Sequence, residues 1–230
     1  MKVRIKFGKY GVMKYIGHLD VMRYFQKLIR RADIPIAYST GMSPHQIMSF
    51  AMPLSIGLES DAEYVDIEIT EEIPSAEAVK RMNDQGVDGI TILSFKHLPD
   101  NALNAMASIF AADYSVSFRD GFMPDFSCVD ILGKMYDEQY INVLKKTKKN
   151  ESMVDIKPGI FSFSGDNDKI DMCLSCGSVL NIKPELVIKT VFEKMGRDLD
   201  RFALSIRRRE IYTGSRDELI SLDMIGTNIE

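Results

Sequence analysis

The stretch VRIKFGKYGVMKYIGHLDVMRYFQKLIRRADIP, residues 3–35, changes its hydrophobic period partway along, and that change decides the fold class. Val3 to Phe7 alternates apolar and basic residues, the period of a half-buried strand. Gly8 and Gly11 then supply a turn. From His18 to Asp33, Leu19, Met22, Phe25, Ile29 and Ala32 recur at spacings of three and four, while Asp20, Arg23, Lys27, Arg30 and Arg31 gather on the opposite side. That is an amphipathic helix. Asp20 in its first turn and Arg30 and Arg31 in its last suit the helix dipole, and Pro35 stops it.

Working outward, Ile36 to Ser39 reads as a short strand. Residues 40–57, rich in Gly, Ser, Pro and Met, read as an ordered loop or bent hairpin. Glu63 to Thr70 alternates as a strand, Ser75 to Asn83 is a helix with Ser75 as its cap, and Gly89 to Phe95 is a strand. The order β-α-β-(loop)-β-α-β over residues 1–96 is that of a split βαβ, ferredoxin-like sandwich. Residues 97–112 form a connection with some helical character. A similar order follows over 113–213: strand Tyr114–Phe118, helix Cys128–Met135, strand Tyr140–Lys145, a basic tip 145–150, a hairpin of Ile160–Ser164 and Ile170–Ser175 turning at 165–168, a helix from Lys183 to Met195, and a last strand Leu204–Tyr212. Residues 214–230 are a C-terminal tail. The expected class is therefore α+β, as two tandem ferredoxin-like units. One continuous α+β domain, with both sharing a core, is the alternative.

Composition sets the outer bounds. Of 230 residues, 45% are apolar and 27% charged, enough apolar material for a core without disulfides or metal. No apolar run approaches the ~20 residues of a membrane span. The opening MKVRIKF has no signal-like apolar core. Three cysteines, Cys128, Cys173 and Cys176, point to reduced thiols and a cytoplasmic setting. The net charge of −4 is uneven: residues 1–60 carry nine cations against Asp20, Asp33 and Glu59, giving +6 and leaving −10 on the remainder. A basic first third on an acidic body is either a polyanion-binding face or an ordinary solvated surface.

The densest polar stretch runs from Gly17 to Gly57. It holds His18, Asp20, Arg23, Arg30, Arg31, Ser39, Pro44, His45, Ser49 and Phe50, with Lys6 and Lys9 on the preceding strand segment. A strand, a basic helix and a Gly-Pro loop can build a groove for a phosphate backbone, with Phe50 or Tyr24 stacking on a base. His18 at the helix start is an acid or base if it titrates there, or else a capping residue; Asp20 is a dipole residue or a carboxylate of the site. Cys173-Leu174-Ser175-Cys176 has CxxC spacing but no second pair, and on a strand its two thiols would point to opposite faces, so no metal site is expected. Arg207-Arg208-Arg209 is either a charged edge strand or a second anion contact. Walker, GxGxxG, GxSxG and HExxH motifs are missing from the sequence.

Residues 2–70 resemble the radical-SAM-linked protein family of bacteria. The likeness rests on Phe7-Gly8-Lys9-Tyr10-Gly11, Gly17-His18-Leu19-Asp20 with Arg23, Ile29-Arg30-Arg31-Ala32 and Pro35, Ser39-Thr40-Gly41-Met42-Ser43-Pro44-His45, Ser49-Phe50-Ala51-Met52-Pro53-Leu54 with Gly57, and Glu63-Tyr64-Val65-Asp66-Ile67-Glu68. Val154 to Pro158 and Leu204 to Tyr212 resemble it more weakly. Gly17, Met42 and Gln46 depart from the family's usual Ser, Phe and Pro. The resemblance implies a gene neighbour or fusion partner that is a cobalamin-binding-type radical-SAM protein. This chain lacks a CxxxCxxC triad, so it is not expected to be that catalyst or to hold a cofactor.

Three functions fit these readings. The first is a non-catalytic accessory module that binds RNA or presents substrate to the radical-SAM partner. The second is an RNA-processing endoribonuclease of ferredoxin-like fold with His18 as its catalytic group, although the Gly-rich C-terminal loop of such enzymes has no clear counterpart here. The third is a protein-only scaffold.

Overall fold

The structure, a computed structural model, describes residues 1–146, 151–177 and 180–230. In chain order the strands and helices are β1 (Lys2–Lys9), α1 (His18–Arg31), β2 (Met48–Phe50), β3 (Glu59–Glu68), α2 (Ser75–Asp84), β4 (Ile90–His97), α3 (Ala105–Ser108), β5 (Ala111–Phe118), α4 (Cys128–Asp137), β6 (Asn142–Lys146), β7 (Glu151–Asp155), β8 (Ile160–Gly165), β9 (Ile170–Ser175), α5 (Pro184–Lys194), β10 (Leu204–Gly214) and β11 (Leu219–Ser221). Most of the basic tip expected at 145–150 lies outside the described residues. The protein is α+β, and the chain divides into two compact units: Met1–Ile109 with Glu210–Glu230, and Phe110–Arg209.

The first unit is a sheet in the order β4-β1-β3, with β2 and β10 both pairing β3, and β11 pairing β10. β1 runs antiparallel to β3 and β4, and β2 antiparallel to β3. The alternation of Val3, Ile5 and Phe7 puts these three on one face, against Val21, Phe25, Leu28 and Ile29 of α1 and Ala78 and Met82 of α2. Each fully buried Val, Leu, Ile, Phe or Met side chain among them contributes about 1.5–3 kcal/mol. The opposite face of the strands carries Arg4, Lys6, Tyr64 and Asp66. The residues from 210 onward return to this unit, so the segment expected as a tail is part of its structure.

Several local expectations change. Ile36–Ser39 forms no strand; it contributes isolated bridges from Ile36 to Ile69 and from Tyr38 to Gln46. The strand in this region is β2 instead, inside the Gly-Pro stretch. Ser75 is the first residue of α2 and not its cap, a place taken by Pro74. Its hydroxyl accepts from Ile229 N at 2.8 Å, and its own N–H donates to Ile229 O. A cap needs an extended residue whose oxygen reaches forward along the helix; Ser75 reaches across to the chain end.

The second unit has the sheet order β10-β5-β9-β8, with β9 antiparallel to both β5 and β8. β6 and β7 form a separate antiparallel hairpin. Tyr114 and Val116 of β5, Leu132 and Met135 of α4, Met172 and Leu174 of β9, and Val187, Ile188 and Val191 of α5 are buried in this unit.

Candidate functional site

The sequence-predicted site residues all lie in the first unit. α1 begins after Gly17, which is extended at φ −77°, ψ 165° and is the N-cap. Its buried stripe leaves Leu19, Asp20, Arg23, Lys27, Arg30 and Arg31 exposed. Arg23 meets Asp20 at 3.2 Å, with side chains 71% and 61% exposed; such a pair is worth well under ~1 kcal/mol and is screened by salt, so Arg23 can leave it for a better anion. Arg30 Nε donates to Gln26 O at 3.2 Å. Lys27, Arg30 and Arg31 make no ion pair among the described residues. The helix thus presents a basic row opposed by one carboxylate.

The loop runs antiparallel along this helix. Gln46 Nε2 donates to Gln26 O at 3.3 Å, and the His18 ring stands edge-on to Phe50 at 5.4 Å. Ser39 and His45 close the loop between them: Ser39 N donates to His45 O at 2.8 Å, His45 N donates to Ser39 Oγ at 3.1 Å, and Ser39 Oγ lies 2.8 Å from His45 Nδ1. Pro44 and Ser49 are exposed. Phe50 is not. Its ring is buried against Phe7 and Phe25, so it serves the core and is not a surface for stacking a base. Tyr24 also packs on Phe25, and its hydroxyl is held above the ordinary tyrosine range, chiefly by burial.

His18 does not cap the helix, and its described ring contact is with Phe50. Lys6 Nζ donates to Glu210 Oε2 at 2.7 Å, and the Tyr64 hydroxyl donates to Glu210 Oε1. Burial, and then the Glu210 charge, hold Tyr64 far above the ordinary range, so it remains a donor. Lys96 Nζ meets Asp223 Oδ2 at 3.0 Å, and Ser94 donates to the same carboxylate. Lys9 is buried and engaged. Lys6 and Lys9 are therefore taken up by internal contacts.

In the second unit, Arg208 is fully buried beside Tyr114 and Cys176, while Arg209 lies on the other face of β10 and lines an open cleft of about 340 Å3 with Asp113, Ser162, Ser164, Lys169 and Asp171. The inward place of Arg208 is visible as strand alternation; that a guanidinium fills it has no sequence signal. Cys128, Cys173 and Cys176 are buried, unbridged thiols. Cys176 lies just past the end of β9. Burial pushes Cys128 up to about 11 and Cys176 up to about 12. Among the described residues no three His, Cys, Asp or Glu side chains gather as a metal site, and no helix is long and apolar enough to cross a membrane.

These features describe an α+β protein with a basic helix laid along a Gly-Pro loop. The chain belongs to the bacterial family described as "Uncharacterized protein conserved in bacteria (DUF2344)", whose profile matches residues 2–184. No curated protein matches it.

Proposed function

We propose that this protein is a non-catalytic accessory module that works beside a radical-SAM enzyme and holds RNA, as substrate or guide to substrate, along the basic face of α1. The observation that carries the reading is the exposed row Arg23, Lys27, Arg30 and Arg31, whose one carboxylate neighbour on the helix itself is Asp20, bordered by a loop of exposed Ser, Pro and His residues. Guanidinium and ammonium groups in such a row meet successive phosphates, and loop hydroxyls add hydrogen bonds. Both units are read as ferredoxin-like. β1-α1-β2-β3-α2-β4 and β5-α4-β8-β9-α5-β10 follow the same split βαβ order, with the β6–β7 hairpin inserted in the second. The radical-SAM partner enters through the resemblance of residues 2–70.

The endoribonuclease reading is disfavoured. The described ring contact of His18 is apolar, and a general base needs a substrate proton within hydrogen-bond reach and a group to orient it. A protein-only scaffold draws support from one observation: Val12, Tyr15, Leu19 and Ile56 are large apolar side chains more than half exposed. The discriminating experiment is affinity purification from the native host after crosslinking. Recovery of RNA together with a radical-SAM protein is expected. Recovery of the protein partner alone, with no RNA binding by the purified chain at ~50 mM salt, where phosphate contacts are strong, overturns the RNA reading in favour of the scaffold.

A further inference from the structure

A second cavity, this one in the first unit, lies on the sheet face away from α1 and α2. It measures about 210 Å3 and is lined by Lys2, Ile47, Ser49, Asp66, Glu68, Leu98, Ala102 and Asn104, among others. Strand register builds its floor: Lys2 sits opposite Glu68, and Ser49 opposite Asp66. One wall is fixed. Asp66 Oδ1 takes Arg4 Nε at 2.8 Å, and its Oδ2 takes Arg4 Nη2 at 2.9 Å and Ala105 N at 2.7 Å, so the carboxylate is held by three donors and Arg4 is buried behind it. The other polar groups are open. Lys2, Ser49 and Glu68 have no side-chain partner among the described residues. Asn104 uses its Oδ1 on Ala107 N and keeps its amide donors. Ile47, Leu98 and Ala102 supply apolar wall.

We infer that this cavity takes a single purine base, guanine in preference to the others. Its volume equals roughly seven waters at ~30 Å3 each, the room of one fused ring and not of a whole nucleotide. Apolar walls with a few convergent polar groups are the usual make-up of a ligand site. A carboxylate accepts from an edge carrying N–H donors, a lysine donates to O6 or N7, and a hydroxyl or amide serves either. Guanine alone sets two adjacent N–H donors beside a carbonyl, matching Glu68 next to Lys2. Ser49 and Asn104 complete the edge. Taking the base from RNA rests on the proposed function; the same chemistry would accept a free guanine nucleotide.

The test uses the full-length chain with guanosine, cytidine and uridine monophosphates, followed by amide chemical shifts, and with a labelled oligocytidine carrying one guanine or none. Guanosine monophosphate is expected to bind at least ~10-fold more tightly than the pyrimidine nucleotides, the low end for one bidentate base contact, and to shift the amides of Ser49 and Glu68. The guanine-bearing oligomer is expected to outbind the plain one by a similar factor. Glu68→Gln should erase both preferences, because its amide removes the charge, keeps one acceptor oxygen of the two and sets an NH2 donor against guanine's N–H donors. Ala102→Phe, which fills the cavity without touching a polar group, should do the same; intact thermal unfolding in either variant excludes misfolding. Guanosine monophosphate binding with no oligomer binding would leave the base site standing and overturn the RNA reading. Equal binding of both oligomers, with no nucleotide preference, overturns the base site alone. No binding of any probe overturns both.

Discussion

Lys6 and Glu210 are 204 residues apart in the chain and 2.7 Å apart in the fold. With the Tyr64 hydroxyl they join β1 and β3 to β10 on the face away from α1 and α2. Lys6 is 17% exposed and Glu210 16%, so water screens the pair only in part. Removing Glu210 takes away the counter-charge of Lys6, whereas removing Lys6 leaves Glu210 its Tyr64 and Ile211 donors.

Glu210→Ala should therefore lower stability by about 2–3 kcal/mol and Lys6→Ala by about 1–2, short of the values for fully buried pairs because both groups keep some water. Urea unfolding of the two single variants and the double variant gives the coupling between them. RNA affinity and its salt dependence should not move. A change in salt slope for Lys6→Ala would return Lys6 to the phosphate-contacting set.

His18→Ala tests whether the histidine does more than pack. Its edge-on contact with Phe50 is worth about 0.5–1.5 kcal/mol, and a loss of that size by thermal unfolding is the expected effect. RNA affinity should be nearly unchanged, and neither wild type nor variant should cleave. Cleavage by the wild type that the variant abolishes, with binding intact, would assign His18 a catalytic role.

These two residues mark where sequence reading succeeds and stops. The register of Val3, Ile5 and Phe7 and the apolar stripe of α1 are local periodicities, and both elements stand where the pattern puts them. The same alternation sends Arg4 and Lys6 to a face that looks solvated. What engages them is Asp66, Leu103, Leu222 and Glu210, which come from distant parts of the chain and leave no local trace. Phe50 is misleading for a similar reason. A three-residue strand inside a Gly-Pro loop is too short to show a period, yet pairing with β3 turns its ring into the core. The cavity beneath Ser49 is invisible for the same cause, since its floor spans three strands and its wall is the 98–104 segment.

The cysteines should be inert in the folded chain. The nucleophile and metal ligand is the thiolate, and with Cys128 pushed up to about 11 and Cys176 up to about 12 by burial, little forms at pH 8. Cys173 is pushed further still, by burial and then by neighbouring Asp113. A thiol reagent at pH 8 should label none of the three until denaturant is added, then all three. Elemental analysis of untagged protein should find no stoichiometric zinc or iron. Metal that is lost in Cys173→Ser would contradict this.

Asp223 should make the first unit acid-sensitive. Burial alone would raise its pKa, but the Ser94 hydrogen bond and Lys96 together outweigh it and hold the carboxyl below the ordinary value. A carboxylate depressed in the folded state contributes stability above its unfolded pKa, near ~3.9, and loses it as pH falls through the lower folded value. Asp223→Asn should be less stable than wild type at pH 7, and the difference should shrink below about pH 4. Urea unfolding at pH 7 and pH 3 measures it. Asp125 and Asp171 are also held low, so the variant-minus-wild-type difference is the quantity to follow. A difference that stays constant to pH 3 would show that Asp223 does not gain from being charged in the fold.

The basic row of α1 makes a prediction that separates polyanion binding from mere surface charge. Single-stranded RNA releases about 0.7 counterion per phosphate neutralised, so contacts to ~4–6 phosphates give a log–log salt slope of roughly −3 to −4. Arg23→Ala with Arg30→Ala should weaken binding at least ~10-fold and flatten the slope by roughly one unit. Both side chains are exposed, and neither makes a buried contact, so folding stability should change by less than about 0.5 kcal/mol. Fluorescence anisotropy with a labelled oligonucleotide across 50–200 mM salt reads both numbers. The control is Lys80→Ala with Arg81→Ala on α2, a pair equally cationic and tied to its own helix through Asp84 and Glu77. If the α2 pair flattens the slope as much as the α1 pair, binding follows net charge, and the α1 row is no site. If only the α1 pair does so, the phosphate path runs along that helix.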